Sequence, residues 1–252
     1  MIFSFVKQKI VIDAFSALPS IIETSPILET KHFFPEWWKQ LPKTVDVKRA
    51  DYLIETPNPT LKTCTGFIEY MKTGFIIPSW CDMKIASRSD GSWTYAMPMP
   101  HNKNPYPIID HPSFQYGSYW EDYINIKLIS PWVLTEKTGV KFYWNSPTWH
   151  QKEYWNKLTV LPATVDFKYQ SATNIICFIP KKNDDYIINH GTPLVHLVPL
   201  TDKKVEIKMH EVSYEEFIKI YEKNSFNRCF SGSYKTFKNL KNKESKCPFD
   251  FN

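Results

Sequence analysis

From Phe75 to Met209 apolar and polar residues alternate with a period of two over many short stretches. Trp80 to Ala86 alternates, Ser89-Asp90-Gly91-Ser92 has turn chemistry, and Trp93 to Met97 alternates back, which predicts a hairpin. The same pattern recurs at 123–128, 140–144, 158–160, 164–167, 175–179, 194–198 and 205–209. Many short strands separated by turn residues, with no regular strand-helix alternation, predict an antiparallel β-sandwich or barrel of β-clip or jelly-roll type.

The flanks read differently. Pro19, Pro26, Pro35, Pro42, Pro57 and Pro59 interrupt the first sixty residues, and each removes a backbone donor and disfavours helix before it. Two short helices are predicted there, at Pro35–Pro42, where Trp37, Trp38 and Leu41 share a face, and at Thr63–Met71, ended by Gly74. Ser213 with Glu216 three residues on forms a capping signal for a helix through Tyr221. The expected organisation is a proline-rich wrapping segment at 1–74, a β-rich core at 75–210, a helix at 211–226 and a basic tail at 227–252.

Composition narrows the class. A 252-residue chain with 42% hydrophobic residues is a folded protein and neither a disordered tail nor a small disulfide scaffold. Aromatics reach 16% while glycine numbers only 7, so the rings are expected to serve as sheet packing and loop anchors. The net charge of +5 is local: between Asn227 and Cys247 six lysines and arginines face one acid, Glu244, and account for it. Phe230, Tyr234 and Phe237 interleave with them, which confines any nucleic-acid contact to this tail. Five cysteines, odd in number and widely spaced, predict reduced thiols. With no signal-peptide pattern at Met1–Lys7 and no long uncharged apolar run, the expectation is a soluble cytoplasmic protein without membrane contact.

The common catalytic motifs are absent: there is no P-loop, dinucleotide turn, zinc-protease helix or nucleophile elbow. None of the seven histidines, His32, His101, His111, His150, His190, His196 and His210, forms a His-x-Asp/Glu pair, so no metal site is predicted and the cofactor is left open. The loop Ile109–Gly117 is polar, aromatic and bounded by strands; Asp110, His111 and Gln115 are its candidate ligand-binding groups, against a purely structural loop packing Phe114 and Tyr116 on the sheet.

Val165-Asp166-Phe167-Lys168-Tyr169, with Asn145-Ser146-Pro147 before it and Gly191 to His196 after it, resembles the β-clip core of trimeric dUTPases and dCTP deaminases. The resemblance implies Asp166 as the base that activates water, Tyr169 as a deoxyribose platform, Ser146 near phosphate, Gly191 and His196 at the closing turn, and Asp82 in the first motif. The sequence departs from that pattern where a phosphate-binding arginine and glycine would flank Ser146, and His196 replaces a glutamine. The glycine-rich lid is reduced to Ser231–Thr236.

The whole-chain succession Phe34–Lys39, Thr63–Met71, Phe75–Trp80, His111–Gly117, Ser130–Trp132 and Gly191–Val195 is similar to an uncharacterised family of proteins from tailed bacteriophages and environmental bacteria. This implies a single-domain phage protein, working in the host cytoplasm or the virion, and no particular chemistry. Two functions follow: a binding or structural host-interaction protein, with a homo-oligomer possible, or a β-clip enzyme acting on a nucleotide or small polar metabolite with Asp166 as general base.

Overall fold

The computed structural model describes residues 9–46, 57–98, 108–150, 157–225, 235–236 and 238–240. His101, Trp155 and most of the basic tail, with Phe230, Tyr234, Phe237, Cys229, Cys247 and the start of the expected lid, lie outside them.

The described chain is mainly β. In order, its strands are β1 (Ile10–Ser16), β2 (Leu28–Glu29), β3 (Thr44–Val45), β4 (Asn58–Pro59), β5 (Phe75–Pro78), β6 (Met83–Ser87), β7 (Trp93–Ala96), β8 (Ile108–Asp110), β9 (Tyr123–Leu128), β10 (Val133–Glu136), β11 (Phe142–Asn145), β12 (Thr159–Val160), β13 (Ala163–Val165), β14 (Ile175–Pro180), β15 (Asp184–Ile188), β16 (Pro193–Pro199) and β17 (Val205–Glu211). Helices α1 (Ile21–Thr24), α2 (Glu36–Gln40) and α3 (Thr65–Lys72) fall between β1 and β5, and α4 (Tyr214–Ser225) follows β17. No helix among the described residues is long and apolar enough to cross a membrane.

Two larger sheets form a sandwich. One has the order β13-β11-β16-β5-β2, the other β12-β14-β9-β8. Alternation turns Phe75, Ile77, Phe142, Trp144, Val195 and Leu197 of the first toward Ile124, Ile126, Leu128, Ile175, Cys177 and Ile179 of the second, within one continuous core. The three-stranded sheets β10-β1-β17 and β15-β6-β7 join the same core through Ile12, Ala14 and Leu134, and through Met83, Ile85, Tyr186 and Ile188. Burying each of the Val, Leu, Ile, Met and Phe side chains among these is worth about 1.5–3 kcal/mol relative to exposure.

The hairpin of β6 and β7 forms where its turn residues predict. Asp90 Oδ1 accepts the Ser92 N–H at 2.8 Å, and Gly91 takes φ +86°. Ser213 caps α4 as its sequence suggests, accepting the Glu216 N–H at 3.2 Å. The N-terminal segment does more than wrap. Its strand β1 lies between β10 and β17 and pairs in parallel with β17 from Ile10↔Val205 to Ser16↔Glu211, the one parallel ladder among the described strands. The boundary at residue 74 is therefore no break in the core, because Ile12, Ala14, Ile21 and Ile27 belong to it.

The rest of that segment is a strap over the outer face of the five-stranded sheet. The outer row there includes Ile76 and His196, only 0% and 1% exposed, so a second layer covers them. Phe67 and Met71, one turn apart on α3, are its buried residues. Around them Phe34 meets Trp38 at 4.4 Å between ring centroids, Trp37 meets Phe67 at 5.8 Å, and Phe67 meets Trp149 edge-on at 5.0 Å. Lys62 ends α2: its ammonium donates to the carbonyls of Trp38 and Lys39 and sits 4.1 Å from the Trp38 ring centroid.

Candidate functional site

The structure separates the residues of the β-clip resemblance. In the β11–β13 ladder Phe142 faces Val165 and Trp144 faces Ala163. Asp166 follows β13 beyond one end of that ladder and Ser146 follows β11 beyond the other. Extending the register places them five steps, about 17 Å, apart along the strands. Asp166 shapes a turn: its Oδ1 accepts the Lys168 N–H at 3.2 Å, and its carbonyl accepts the N–H groups of Tyr169 and Gln170. Tyr169 is buried, with the ammoniums of Lys168 and Lys238 each 5.5 Å from its ring centroid. Asp82 and Gly191 do come together: Asp82 Oδ1 accepts the His190 N–H at 2.7 Å and Gly191, at φ +77°, completes that turn.

Buried polar atoms with no hydrogen-bond partner mark two other places. Among the described residues they are Thr30 Oγ1, His150 Nδ1, His196 Nδ1, His111 Nδ1 and Asn125 Oδ1. Folded proteins satisfy nearly all such atoms, so their clustering carries information. The first three lie in the layer between the strap and the five-stranded sheet. The last two face each other across the continuation of the β8–β9 ladder, where the His111 N–H bonds the Asn125 carbonyl at 2.9 Å.

In the first place His196 stands on the central strand β16, beside Asn145 of β11 and Ile76 of β5. Its Nε2 reaches the Thr73 carbonyl at 2.6 Å, and the Tyr70 ring packs edge-on at 4.7 Å. His150, on the 3-10 turn Thr148–His150, reaches the Phe33 carbonyl with its own Nε2. A carbonyl only accepts, so both rings carry the proton on Nε2 and keep the Nδ1 lone pair inside. Burial holds both imidazoles below the usual histidine range, against the raising effect of the carbonyls they bond, and His150 lowers His196 further. Burial likewise raises the Tyr70 phenol, which the Asn145 side chain hydrogen-bonds.

In the second place the loop after β8 folds back over the outer face of the four-stranded sheet. His111 meets Tyr116 at 5.5 Å and Tyr116 meets Phe178 at 5.0 Å. Phe178 also meets Trp120 at 4.8 Å, and Trp120 meets Tyr119 at 5.3 Å. Asp110 accepts the Trp93 indole N–H at 2.7 Å, tying the loop to β7. Gln115 closes the 3-10 turn Ser113–Gln115 with its backbone N–H on the Pro112 carbonyl. Burial, followed by the nearby Lys127, lowers His111. The outermost rings are left to solvent, Phe114 at 83% and Tyr119 at 86% exposure.

Asp110, His111 and Gln115 thus share one built loop, while His196 belongs to the other layer. Asn125, Tyr70 and Asn145 escape sequence reasoning. Asn125 sits at an outward position of an alternating strand, which reads as solvent-facing, and only the returning loop buries it. Among the described residues no three of His, Cys, Asp and Glu are grouped so as to hold a metal ion. No protein-family model matches this sequence, and no curated protein is similar to it.

Proposed function

We propose that this chain is a binding protein of the phage-type, β-rich kind its sequence resembles, and that it holds a small polar ligand with a ring on the loop Asp110–Trp120. The observation that carries this reading is the pair Phe114 and Tyr119, two large rings 83% and 86% exposed on a loop anchored ring to ring onto Phe178. A large exposed ring on a braced loop is costly to leave in water and ready to stack on a flat partner at little entropic expense. His111 at the start of this loop and Asn125 of β9 opposite it keep buried polar atoms without a hydrogen-bond partner, which a polar ligand that moves the loop, or water bridging to it, can satisfy. The loop Asp110–Asp122 has three acids and no lysine or arginine, so the loop itself offers no cation to phosphate or nucleic acid, and Lys127 of β9 is the cation beside His111. In this reading Asp166 is a turn residue and not a general base: its carboxylate caps its own turn and the register keeps Ser146 distant.

The test is a ligand-observed NMR and thermal-shift panel of sugars, nucleosides and nucleotides on the wild type and on Phe114→Ala and Tyr119→Ala. The expected result is a hit that weakens at least tenfold in either variant without loss of stability. Hits unaffected by both variants, or no hit across the panel, would overturn the assignment of this loop.

A further inference from the structure

We propose that the strap formed by residues 30–46 and 57–72 is a pH-sensitive clasp, closed by His150 and His196 and opened by their protonation. Each histidine ties the sheet side of the layer to the strap side through one bond. His150 donates to Phe33 at the end of the 3-10 turn Thr30–Phe33, and His196 donates to Thr73 just after α3. The two bonds fasten both ends of the strap. Trp37 adds a third link, donating its indole N–H to the Trp149 carbonyl at 3.0 Å.

The layer suits the neutral ring and opposes the charged one. A second proton would have to go on Nδ1, which in both rings is buried and makes no hydrogen bond; the Pro147 carbonyl beside His150 offsets part of that cost, and burial outweighs it. Two imidazolium ions here would also repel each other, and the coupling of His196 to His150 already has that sign.

No carboxylate faces the pair from the described elements around it. Tyr70 of α3 and Tyr143 of β11 are the neighbouring ionisable groups, and burial raises the Tyr70 phenol. The strap's acids lie at its surface: Glu36 pairs with Lys39 at 2.5 Å, Glu69 with Lys72 at 3.5 Å, and Asp46 is exposed. Glu29, just before the strap, pairs with Lys31. Lys62 is held on the α2 carbonyls, and His32 is exposed.

The sign follows from linkage. In the open form both histidines meet water and titrate near the ordinary value of 6.5; in the closed form both are held below it. The clasp is therefore fully favoured above that value and loses ground as pH falls below it, until the closed-form values are reached. With both rings neutral when closed and charged when open, the opening constant rises about a hundredfold per pH unit, and about tenfold with only one such ring. Opening uncovers Phe67, Met71 and Ile76.

Hydrogen-exchange mass spectrometry between pH 7.5 and 4.5, corrected for the intrinsic exchange rate, tests this. The expected result is loss of protection at 30–46 and 57–72 below about pH 6, while β9 and β14 stay protected. His150→Gln and His196→Gln keep a side-chain N–H for the carbonyl and cannot titrate, so each should reduce the steepness to one proton and the double variant should keep the strap closed in acid. A strap that stays protected at pH 4.5, a double variant that opens like the wild type, or simultaneous loss in β9 and β14 would each overturn the clasp. Should the double variant fail to fold, nitrogen-15 NMR of the wild-type imidazoles decides. Two Nε2–H rings that stay neutral at pH 6.5, where the strap is still closed and a free imidazole is half charged, support the proposal, and two rings already half charged there refute it.

Discussion

Ser146 and Asp166 lie beyond opposite ends of the antiparallel pair β11 and β13, five register steps apart. Residues separated in this way have independent effects on stability. Asp166→Ala removes the acceptor of the Lys168 N–H in a nearly buried turn and should cost about 1–3 kcal/mol in urea unfolding. Combined with Ser146→Ala, the losses should add to within about 0.5 kcal/mol. A larger coupling would mean that the two side chains communicate, and would reopen the β-clip arrangement.

Gly74 should be the least replaceable glycine among those described. It takes φ +85°, and a Cβ there would stand 2.3 Å from the Leu197 carbonyl oxygen, backbone of the central strand β16 that cannot yield cheaply. Gly117 is a control, with φ +66° and nothing within 4 Å of its Cβ position. Gly117→Ala should cost only the left-handed strain of about 1–2 kcal/mol, whereas Gly74→Ala should cost more than 3 kcal/mol or prevent folding. Equal losses in thermal unfolding would show that the strap does not press on β16 at this point.

What could be read from the chain divides by range. The β6–β7 hairpin was legible because Asp90 and Gly91 act on their immediate neighbours, and the α4 cap because Ser213 and Glu216 do the same. Strand β1 was not. Its run Ile10-Val11-Ile12 hides alternation behind uniform apolarity, and its partners arrive from β10 and from β17 near the far end of the chain. The candidate loop was legible as a composition, with Asp110, His111 and Gln115 in it, but its depth depends on Asn125 and Phe178, supplied by two other strands. His150 and His196 looked like unrelated histidines because the pairing of Asn145 with His196, rather than any spacing, makes them neighbours.

Thiol reactivity should rank by depth. Cys64 is exposed. Burial, helped by the charge of Asp82, pushes the half-buried Cys81 thiol up to about 11, and burial pushes the fully enclosed Cys177 thiol up as well. Among the three described cysteines, iodoacetamide at pH 8 followed by peptide mapping should label Cys64 fastest, Cys81 slowly and Cys177 only on unfolding. Labelling of Cys177 in the native protein at the rate of Cys64 would contradict the closed core around β14.

Phe178 distinguishes support from contact on the candidate binding face. It is 3% exposed, so it offers a ligand almost nothing, yet it touches Tyr116, Trp120 and Tyr123 at ring distances of 5.0, 4.8 and 5.7 Å. Phe178→Leu keeps an apolar side chain on β14 but removes all three ring contacts, each worth about 0.5–1.5 kcal/mol. Stability should fall by about 1–3 kcal/mol, and near-UV circular dichroism should weaken as Trp120 loses its fixed neighbour. Tyr119→Ala, which removes a ring 86% exposed, should change stability by less than about 0.5 kcal/mol. Ligand affinity should fall in both variants, in Tyr119→Ala through lost contact and in Phe178→Leu because the loop must then be ordered at the moment of binding. That second loss should be entropic in calorimetry. Full affinity in Phe178→Leu would show that the aromatic ladder stabilises the sheet without positioning the loop.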